Sequence, residues 1–249
     1  MDNGLAFYPI FRPYENLLAF STTKKTFENL LPRFTGDSPQ IFQKNREQLA
    51  KILGIEVGQL IFPRQTHTNY VVELSSIPQK EIKETDALIT NKPGICLCVQ
   101  TADCVPILLF DPIEKVVAAV HAGWRGTVKK ITEITAHKMK MNYGTSPENI
   151  LALIGPSIGP AIYEVGEEVV KEVQKNIPQA EKTLQKNSKG KFHFNLWEAN
   201  KQLLLNCGIK KENVEIAGKC TFTENKKYFS ARRDGIHTGR MVSGIMLRK

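Results

Sequence analysis

Three short apolar runs, each followed by polar residues that can do chemistry, dominate the middle of this 249-residue chain. They cover residues 95–100, 105–110 and 116–120. Apolar runs of this length between turn signals are typical of strands buried in a core. They place Cys104 and His121 at strand ends, where a sheet holds a side chain still while one side stays open.

The segment after His121 combines a turn with the predicted start of a helix, which continues to about Met141. Gly123 and Gly126 permit close backbone approach, and a helix start offers free N–H groups to an anion. With Arg125 between the glycines, the segment could seat a phosphate or sugar phosphate. The same glycines also suit an ordinary tight connection between a strand and a helix, so both interpretations stay open.

Composition narrows the class of protein. The hydrophobic share of 41% and the mean hydropathy of -0.26 are typical of a soluble globular protein, and no apolar run approaches the roughly 18 residues that span a bilayer. The first residues do not form a basic region followed by an apolar one, so we expect no secretory signal and a cytoplasmic location. Five cysteines, an odd number, favour reduced thiols over a disulfide framework.

The net charge of +9 is concentrated near the C terminus, where residues 201–249 contain 11 basic and 4 acidic residues. Basic surface attracts nucleic acids, membranes or phosphorylated ligands. The chain has no recognised nucleic-acid module, and its aromatic residues are not interleaved with basic ones as a stacking platform requires. We therefore expect no nucleic-acid, membrane or obligate protein partner and a lysine-rich, solvated surface.

Strand and helix patterns alternate along the chain, with no internal repeat and no convincing linker. This mixture predicts one α/β (α+β) domain over residues 1–249.

His67, Cys104 and His121 each follow or interrupt a predicted strand. Two histidines and one cysteine with an open fourth position form an acceptable catalytic zinc site. The three residues are 37 and 17 residues apart, too far for a local zinc finger but suitable for a site assembled across strands. A metal-free alternative makes Cys104 a nucleophile activated by His121, with Asp103 or another polar group orienting the imidazole. The residue types by themselves suit both.

Several motifs, in order along the chain, resemble those of the laccase-domain family from about Asn45 to the C terminus. They are QTH at 65–67, TDALIT at 85–90, TADCVP at 101–106, HAGWRG at 121–126, IGPSIGP at 154–160 with YEVG at 163–166, RRD at 232–234 and TGR at 238–240. Members of this family have been labelled polyphenol oxidase or peptidoglycan editing factor. They are understood as purine nucleoside phosphorylases that also deaminate adenosine.

The resemblance implies a single-domain, mixed α/β/β sandwich with Zn²⁺ bound by His67, Cys104 and His121. It also implies cleavage of adenosine, inosine and S-methyl-5'-thioadenosine with phosphate to free base and (methylthio)ribose 1-phosphate, and deamination of adenosine to inosine. The implied partners are therefore purine nucleosides and phosphate. The residues with predicted catalytic roles are His67, Cys104, His121, Asp103 and Arg125, and those with predicted substrate contacts are Gln65, Gly123, Trp124 and Arg240.

The chain departs from the family pattern after its first strand motif, Phe20-Ser21-Thr22. Residues 23–26 read TKKT where the family carries an arginine and paired glycines, so a ligand contact from that arginine is not predicted.

Three alternative functions stay open. The first, a Cys-His thiol hydrolase or amidase acting on a peptidoglycan precursor, uses the same site. The others are a polyphenol oxidase and a binding protein whose metal is structural and whose basic C-terminal tail holds a partner. A multicopper oxidase needs several clustered copper ligands, whereas the whole chain has five histidines. The sequence therefore gives the oxidase little support.

Overall fold

The computed structural model describes residues 4–27, 31–36 and 39–248. In these residues six α-helices and 14 β-strands form one α/β unit. The helices are α1 (Pro39–Leu53), α2 (Trp124–Val128), α3 (Ile131–Tyr143), α4 (Glu167–Asn176), α5 (Leu196–Asn206) and α6 (Ala231–Asp234). The strands are β1 (Leu5–Ala6), β2 (Leu17–Thr22), β3 (Leu60–Ile61), β4 (Val71–Glu73), β5 (Ala87–Thr90), β6 (Cys96–Thr101), β7 (Val105–Asp111), β8 (Val116–Ala122), β9 (Leu151–Ile154), β10 (Glu164–Val165), β11 (Leu184–Lys186), β12 (Phe192–Phe194), β13 (Val214–Ile216) and β14 (Met241–Leu247). No helix in this part of the chain is long and apolar enough to cross a membrane.

Two sheets packed face to face form the centre of the fold. The five-stranded sheet has the order β1-β2-β14-β6-β3, and the six-stranded sheet has the order β13-β9-β7-β8-β5-β4. Leu97 and Val99 of β6 face Leu108 of β7 and Ala119 of β8 in one shared apolar core. Alternate residues of each strand point away from that core. A separate small sheet, β10-β12-β11, accompanies α4.

Helices cover both outer faces of the sandwich. Ile107 of β7 packs with Ile131 of α3 and Leu203 of α5 on the outside of the six-stranded sheet. Cys98 of β6 packs with Leu49 of α1 on the outside of the five-stranded sheet. The predicted α/β class and mixed sandwich are confirmed, and α1 adds a helical layer on the second side.

The three central apolar runs are strands β6, β7 and β8, as predicted. The helix expected to run from the glycine turn to about Met141 is instead divided into α2 and α3. Lys130 between them has a φ of 58°, a left-handed conformation that an L-residue adopts singly and that a right-handed helix cannot contain. The helix that follows the glycine turn is therefore only five residues long.

Two connections pass from one sheet to the other and meet at one end of the sandwich. Residues 102–104 join β6 to β7, and residues 62–70 join β3 to β4. Strands β7 and β8 are antiparallel, with Val105 opposite Ala122. This register places Cys104, directly before β7, near Gly123, directly after β8. His121 lies opposite Pro106 in the same pair of strands, so Cys104 and His121 are brought to the same end of the sheet.

The helices behind this end are joined by Asn200 of α5. Its amide nitrogen donates to Thr127 Oγ1 at 3.0 Å, and its amide oxygen accepts from Thr132 Oγ1 at 2.8 Å. All three side chains are fully buried. The amide thereby ties α5 to both α2 and α3.

We predict that Asn200→Ala lowers the free energy of unfolding by about 1–3 kcal/mol, because it leaves buried hydroxyl groups without this partner. Urea denaturation measures the change. The matched control is Asn176→Ala, which removes a partly exposed asparagine bonded to Glu172 in the same helix and should cost at most about 0.5 kcal/mol. Equal losses in the two variants would contradict the prediction.

Candidate functional site

His67, Cys104 and His121 come together at the end of the sandwich, and one donor atom from each lies within 4.8 Å of the others. The Sγ of Cys104 is 3.8 Å from Nε2 of His67, and the two imidazole centroids are 4.9 Å apart. His121 is only 4% exposed, Cys104 is half-buried and His67 is exposed. The cluster is therefore anchored on one side and open to solvent on the other. In the described residues, no other group of three or more His, Cys, Asp or Glu side chains could hold a metal ion.

The backbone around this cluster is unusual at two positions. His67 has a φ of 63° and Asp103, directly before Cys104, has a φ of 90°. Residues other than glycine rarely adopt such values, and they persist only where the surroundings hold them. One of these residues is a candidate ligand and the other directly precedes one, so the surrounding structure holds the backbone in a strained conformation at the site.

Asp86, which directly precedes β5, holds two of the three candidate ligands through hydrogen bonds. Its Oδ1 is 2.7 Å from Nδ1 of His121 and accepts from the backbone N–H of His67 at 3.0 Å. Its Oδ2 accepts from the backbone N–H groups of Thr66 and Thr68 at 3.2 and 2.7 Å and from Thr68 Oγ1 at 2.8 Å. The backbone N–H of His121 also donates to the carbonyl of Asp86 at 2.7 Å. One wholly buried residue therefore fixes His67 and orients His121.

The ionisable groups of the cluster shift one another's pKa values. Burial opposes ionisation of Asp86, but the hydrogen bond and charge of His121 and the donors of Thr68 outweigh it and lower its pKa to about 2. Burial likewise disfavours the His121 cation, yet Cys104 and Asp86 raise the pKa of His121 to about 9. Burial raises the pKa of Cys104, and the charge and hydrogen bonds of His121 and His67 lower it to about 6. In the metal-free protein Cys104 and His121 therefore form a thiolate–imidazolium pair at neutral pH.

Gly123 leaves open the space in front of the cluster. A Cβ at this position would lie 2.9 Å from Sγ of Cys104 and 3.1 Å from Cδ2 of His67. Contacts below 3.0 Å require a shift of the neighbouring atoms, so any larger residue would intrude between the two donors. The predicted close backbone approach at Gly123 is therefore present, and it concerns the donor cluster itself.

The donor set fits a metal ion. Ligand atoms about 2.0–2.3 Å from a zinc ion lie within about 4 Å of one another, close to the arrangement found here. The second ring nitrogen of His121 is held by a carboxylate, as in most metal-binding histidines. Two nitrogen donors, one thiolate and an open side suit zinc or another transition metal.

Asp103 lies near the cluster, but its carboxylate is used elsewhere. It accepts from Thr221 Oγ1 at 2.6 Å, from Ser230 Oγ at 3.0 Å and from the backbone N–H of Arg232 at 2.7 Å. The carboxylate that orients His121 is Asp86, not the Asp103 considered from the sequence. The sequence signal that could have identified Asp86 is its position directly before the apolar run of β5, within the TDALIT motif.

Gln65 is occupied by backbone contacts. Its amide nitrogen donates to the carbonyl of Gln100 at 2.9 Å, and its amide oxygen accepts from the Gln100 N–H at 2.8 Å. The predicted substrate contact therefore competes with a structural role, in which Gln65 fastens the β3–β4 connection to β6.

The two predicted arginines, Arg125 and Arg240, differ in exposure and in partners. Arg125 is exposed, with its guanidinium 4.3 Å from the centroid of the half-buried indole of Trp124. Arg240 is half-buried and donates to the carbonyls of Ile236, Thr238 and Gly239. Burial and the like charge of Arg33 lower the pKa of Arg240, against the opposing effect of Cys104 and Asp103. The positive charge of Arg240 is therefore close enough to interact with Cys104 and Asp103.

Comparison with known proteins agrees with this arrangement. The family profile described as "Multi-copper polyphenol oxidoreductase laccase" matches residues 21–248. A purine nucleoside phosphorylase of Bacteroides thetaiotaomicron is 39% identical, over 100% of this chain and 98% of that protein. Adenosine deaminase RL5, from an unknown prokaryotic organism, is 36% identical, over 93% of this chain and 94% of its own length. The crystal structure of YlmD from Geobacillus stearothermophilus superposes with a TM-score of 0.89 at 29% identity, covering 97% of this chain and 94% of that one.

These matches extend over nearly the whole chain and confirm the resemblance inferred from its ordered motifs. The chain belongs to the multi-copper polyphenol oxidoreductase laccase family.

Proposed function

We propose that this protein is a zinc-dependent purine nucleoside phosphorylase that also deaminates adenosine to inosine. Its substrates would be adenosine, inosine and S-methyl-5'-thioadenosine, with phosphate as the second reactant. The observation that carries the proposal is the half-open cluster of His67, Cys104 and His121 with Asp86 behind it. The names of the relatives, a phosphorylase and a deaminase, support the two reactions.

His67, Cys104 and His121 would hold the zinc ion. When bound there, zinc would lower the pKa of a water molecule and so supply a nucleophile for attack on the purine ring. Asp86 engages Nδ1 of His121, which leaves Nε2 as the ligand atom and keeps the imidazole in one orientation. Gly123 keeps the space in front of the donors free of side chains.

Phosphorolysis requires an anion site beside the nucleoside. A phosphate oxygen forms a bond to C1' of the ribose while the C–N glycosidic bond breaks, and the bonding pair leaves with the purine, which takes up a proton. The chain must hold the phosphate anion while this occurs. Arg125 is suited to that task because it is exposed beside Gly123 and has no carboxylate partner among the described residues.

A second candidate function is a thiol hydrolase or amidase acting on a peptidoglycan precursor. It is favoured by one observation, the order Cys104, His121 and Asp86, which places a nucleophile, a base and an orienting carboxylate in series. Such a triad works without metal. Activity that survives complete removal of metal would favour this candidate.

An oxidase with several copper ions is not supported by the donor set. The part of the chain that the structure describes contains one three-donor cluster, and all five histidines of the sequence lie in that part. Several copper centres would need more clustered ligands than this cluster provides.

The first test is to incubate the metal-analysed protein with adenosine, with and without phosphate, and to identify products by mass spectrometry. We predict adenine and ribose 1-phosphate only when phosphate is present, and inosine in both reactions. Cys104→Ala should abolish both reactions, because it removes a zinc ligand. Absence of all three products from a folded, zinc-loaded protein would overturn the proposed function.

A second prediction concerns the Cys104 thiol after chelation of the metal. Because the thiolate is the reactive form and the pKa of Cys104 is about 6, its alkylation by iodoacetamide should rise with pH through a midpoint near 6. His121→Ala should move this midpoint upward, because the cation that stabilises the thiolate is lost. Peptide mapping at several pH values isolates Cys104 from the other cysteines. A midpoint near the ordinary value of about 8.5 in the unmutated chain would refute the thiolate–imidazolium pair.

A third prediction tests Asp86. Asp86→Asn should weaken zinc binding by about 10–100-fold, because a carboxylate that holds a ligating histidine contributes on that scale. Competition with a chelator of known affinity measures the effect. Asp111→Asn is the matched control, since Asp111 is also a fully buried carboxylate that accepts backbone N–H bonds, from Ile113 and Glu114. Equal zinc affinities in the two variants would refute the role of Asp86.

A further inference from the structure

Arg232, at the start of α6, is held at two points, one of them Asp103, the residue directly before Cys104. Its backbone N–H donates to Asp103 Oδ2 at 2.7 Å. Its guanidinium lies 5.2 Å from the ring centroid of Tyr163, and Nη1 donates to the carbonyl of Glu164 at 3.1 Å. The guanidinium is nevertheless exposed, so these contacts position it without enclosing it.

Tyr163 connects Arg232 to the rest of the site. Burial raises the pKa of Tyr163, the negative charges of Cys104 and Asp103 add to this, and the positive charges of Arg232 and Arg125 oppose it. Of these groups, Arg232 contacts the ring of Tyr163 directly. Arg125 and Arg232 are far apart in the sequence, but each is connected to the cluster, either along the chain or by a hydrogen bond. Arg125 follows Gly123, which lies against Cys104 and His67, and Arg232 is bonded to Asp103, the residue before Cys104.

Neither Arg125 nor Arg232 forms an ion pair with a carboxylate in the described part of the chain. Arg233, the next residue, is different: it pairs with Asp234 and donates to the carbonyls of Thr221, Phe222 and Tyr228. The guanidinium of Arg233 is therefore engaged in bonds within the protein, whereas Arg232 is exposed and keeps guanidinium N–H groups that face solvent. Guanidinium groups bind phosphate oxygens through a planar pair of donors.

We propose that Arg232 and Arg125 together form the phosphate-binding site, with Tyr163 beside Arg232. This inference rests on the proposed phosphorylase function and adds a second arginine and a phenol to it. Two arginines can hold separate oxygens of one phosphate and leave another oxygen directed at C1' of the ribose. No bond to the protein forms or breaks in this step.

Asp103 acts as a positioning residue for this site. Its carboxylate accepts from Thr221, Ser230 and the N–H of Arg232, and it directly precedes Cys104. It thereby holds the start of α6 at a constant distance from the turn that carries the thiolate. The phosphate site and the metal site are built on one hydrogen-bonded unit.

The test compares Arg232→Gln and Arg232→Lys with the unmutated, zinc-loaded protein. Phosphorolysis of inosine is followed at varied phosphate, and deamination of adenosine is followed without phosphate. Arg232→Gln should raise the KM for phosphate by about 10-fold or more, the loss expected for a hydrogen bond to a charged group. It should leave phosphate-free deamination within about 2-fold. Arg232→Lys should recover part of the lost phosphate affinity, because lysine keeps the positive charge but lacks the planar pair of donors.

Arg12→Gln, which alters an exposed arginine at the end of a short N-terminal turn, is the matched control and should leave the KM for phosphate unchanged. An unchanged KM in Arg232→Gln would overturn the proposal, as would equal losses of phosphorolysis and phosphate-free deamination. If the unmutated protein yields no ribose 1-phosphate, the proposed function fails. Calorimetric titration with inorganic phosphate then decides on the site: binding lost in Arg232→Gln supports it, and binding that is equal or absent overturns it.

Discussion

The buried carboxylate of Asp86 is the contact on which the rest of the site depends. Removing a charge from water is costly unless its lone pairs are filled, and here the N–H groups of residues 66–68 and the imidazole of His121 fill them. The same bonds tie the β3–β4 connection to the end of β8. The carboxylate thus holds His67 in a left-handed conformation and fixes the ring of His121, so two of the three donors are positioned by one side chain.

A second aspartate, Asp103, holds the other side of the site in a similar way. Asp103 takes a left-handed backbone conformation of its own and binds Thr221, Ser230 and Arg232. It thereby joins the turn that carries Cys104 to a segment more than a hundred residues later. Buried polar networks are stable only when every member is satisfied, and both aspartates meet this condition through several donors. The reactive groups are held by carboxylates that do not need to react themselves.

The sandwich explains why one end of the molecule collects the chemistry. Connections between stacked sheets must leave the hydrogen-bonded ladders, which frees their residues from strand geometry. Cys104 and His67 lie on two such connections, and His121 is the next-to-last residue of β8. The core behind this end is tightly packed, so a rigid frame surrounds an open edge. The donor cluster can therefore stay open to solvent while the sheets behind it hold its side chains in place.

The sequence by itself determined the α/β class, the three central strands and the types of donor available to the site. Apolar runs and turn residues report local conformation and burial, and these signals extend over only a few residues. The motifs also identified the family, because their order along the chain is specific. Tertiary structure alone decided that Asp86, 35 residues before His121, orients the imidazole, that Gln65 binds the backbone of Gln100, and that Arg232 approaches Tyr163. Such partners are set by how the two sheets stack, since distant hydrogen bonds depend on register and packing that no local pattern encodes.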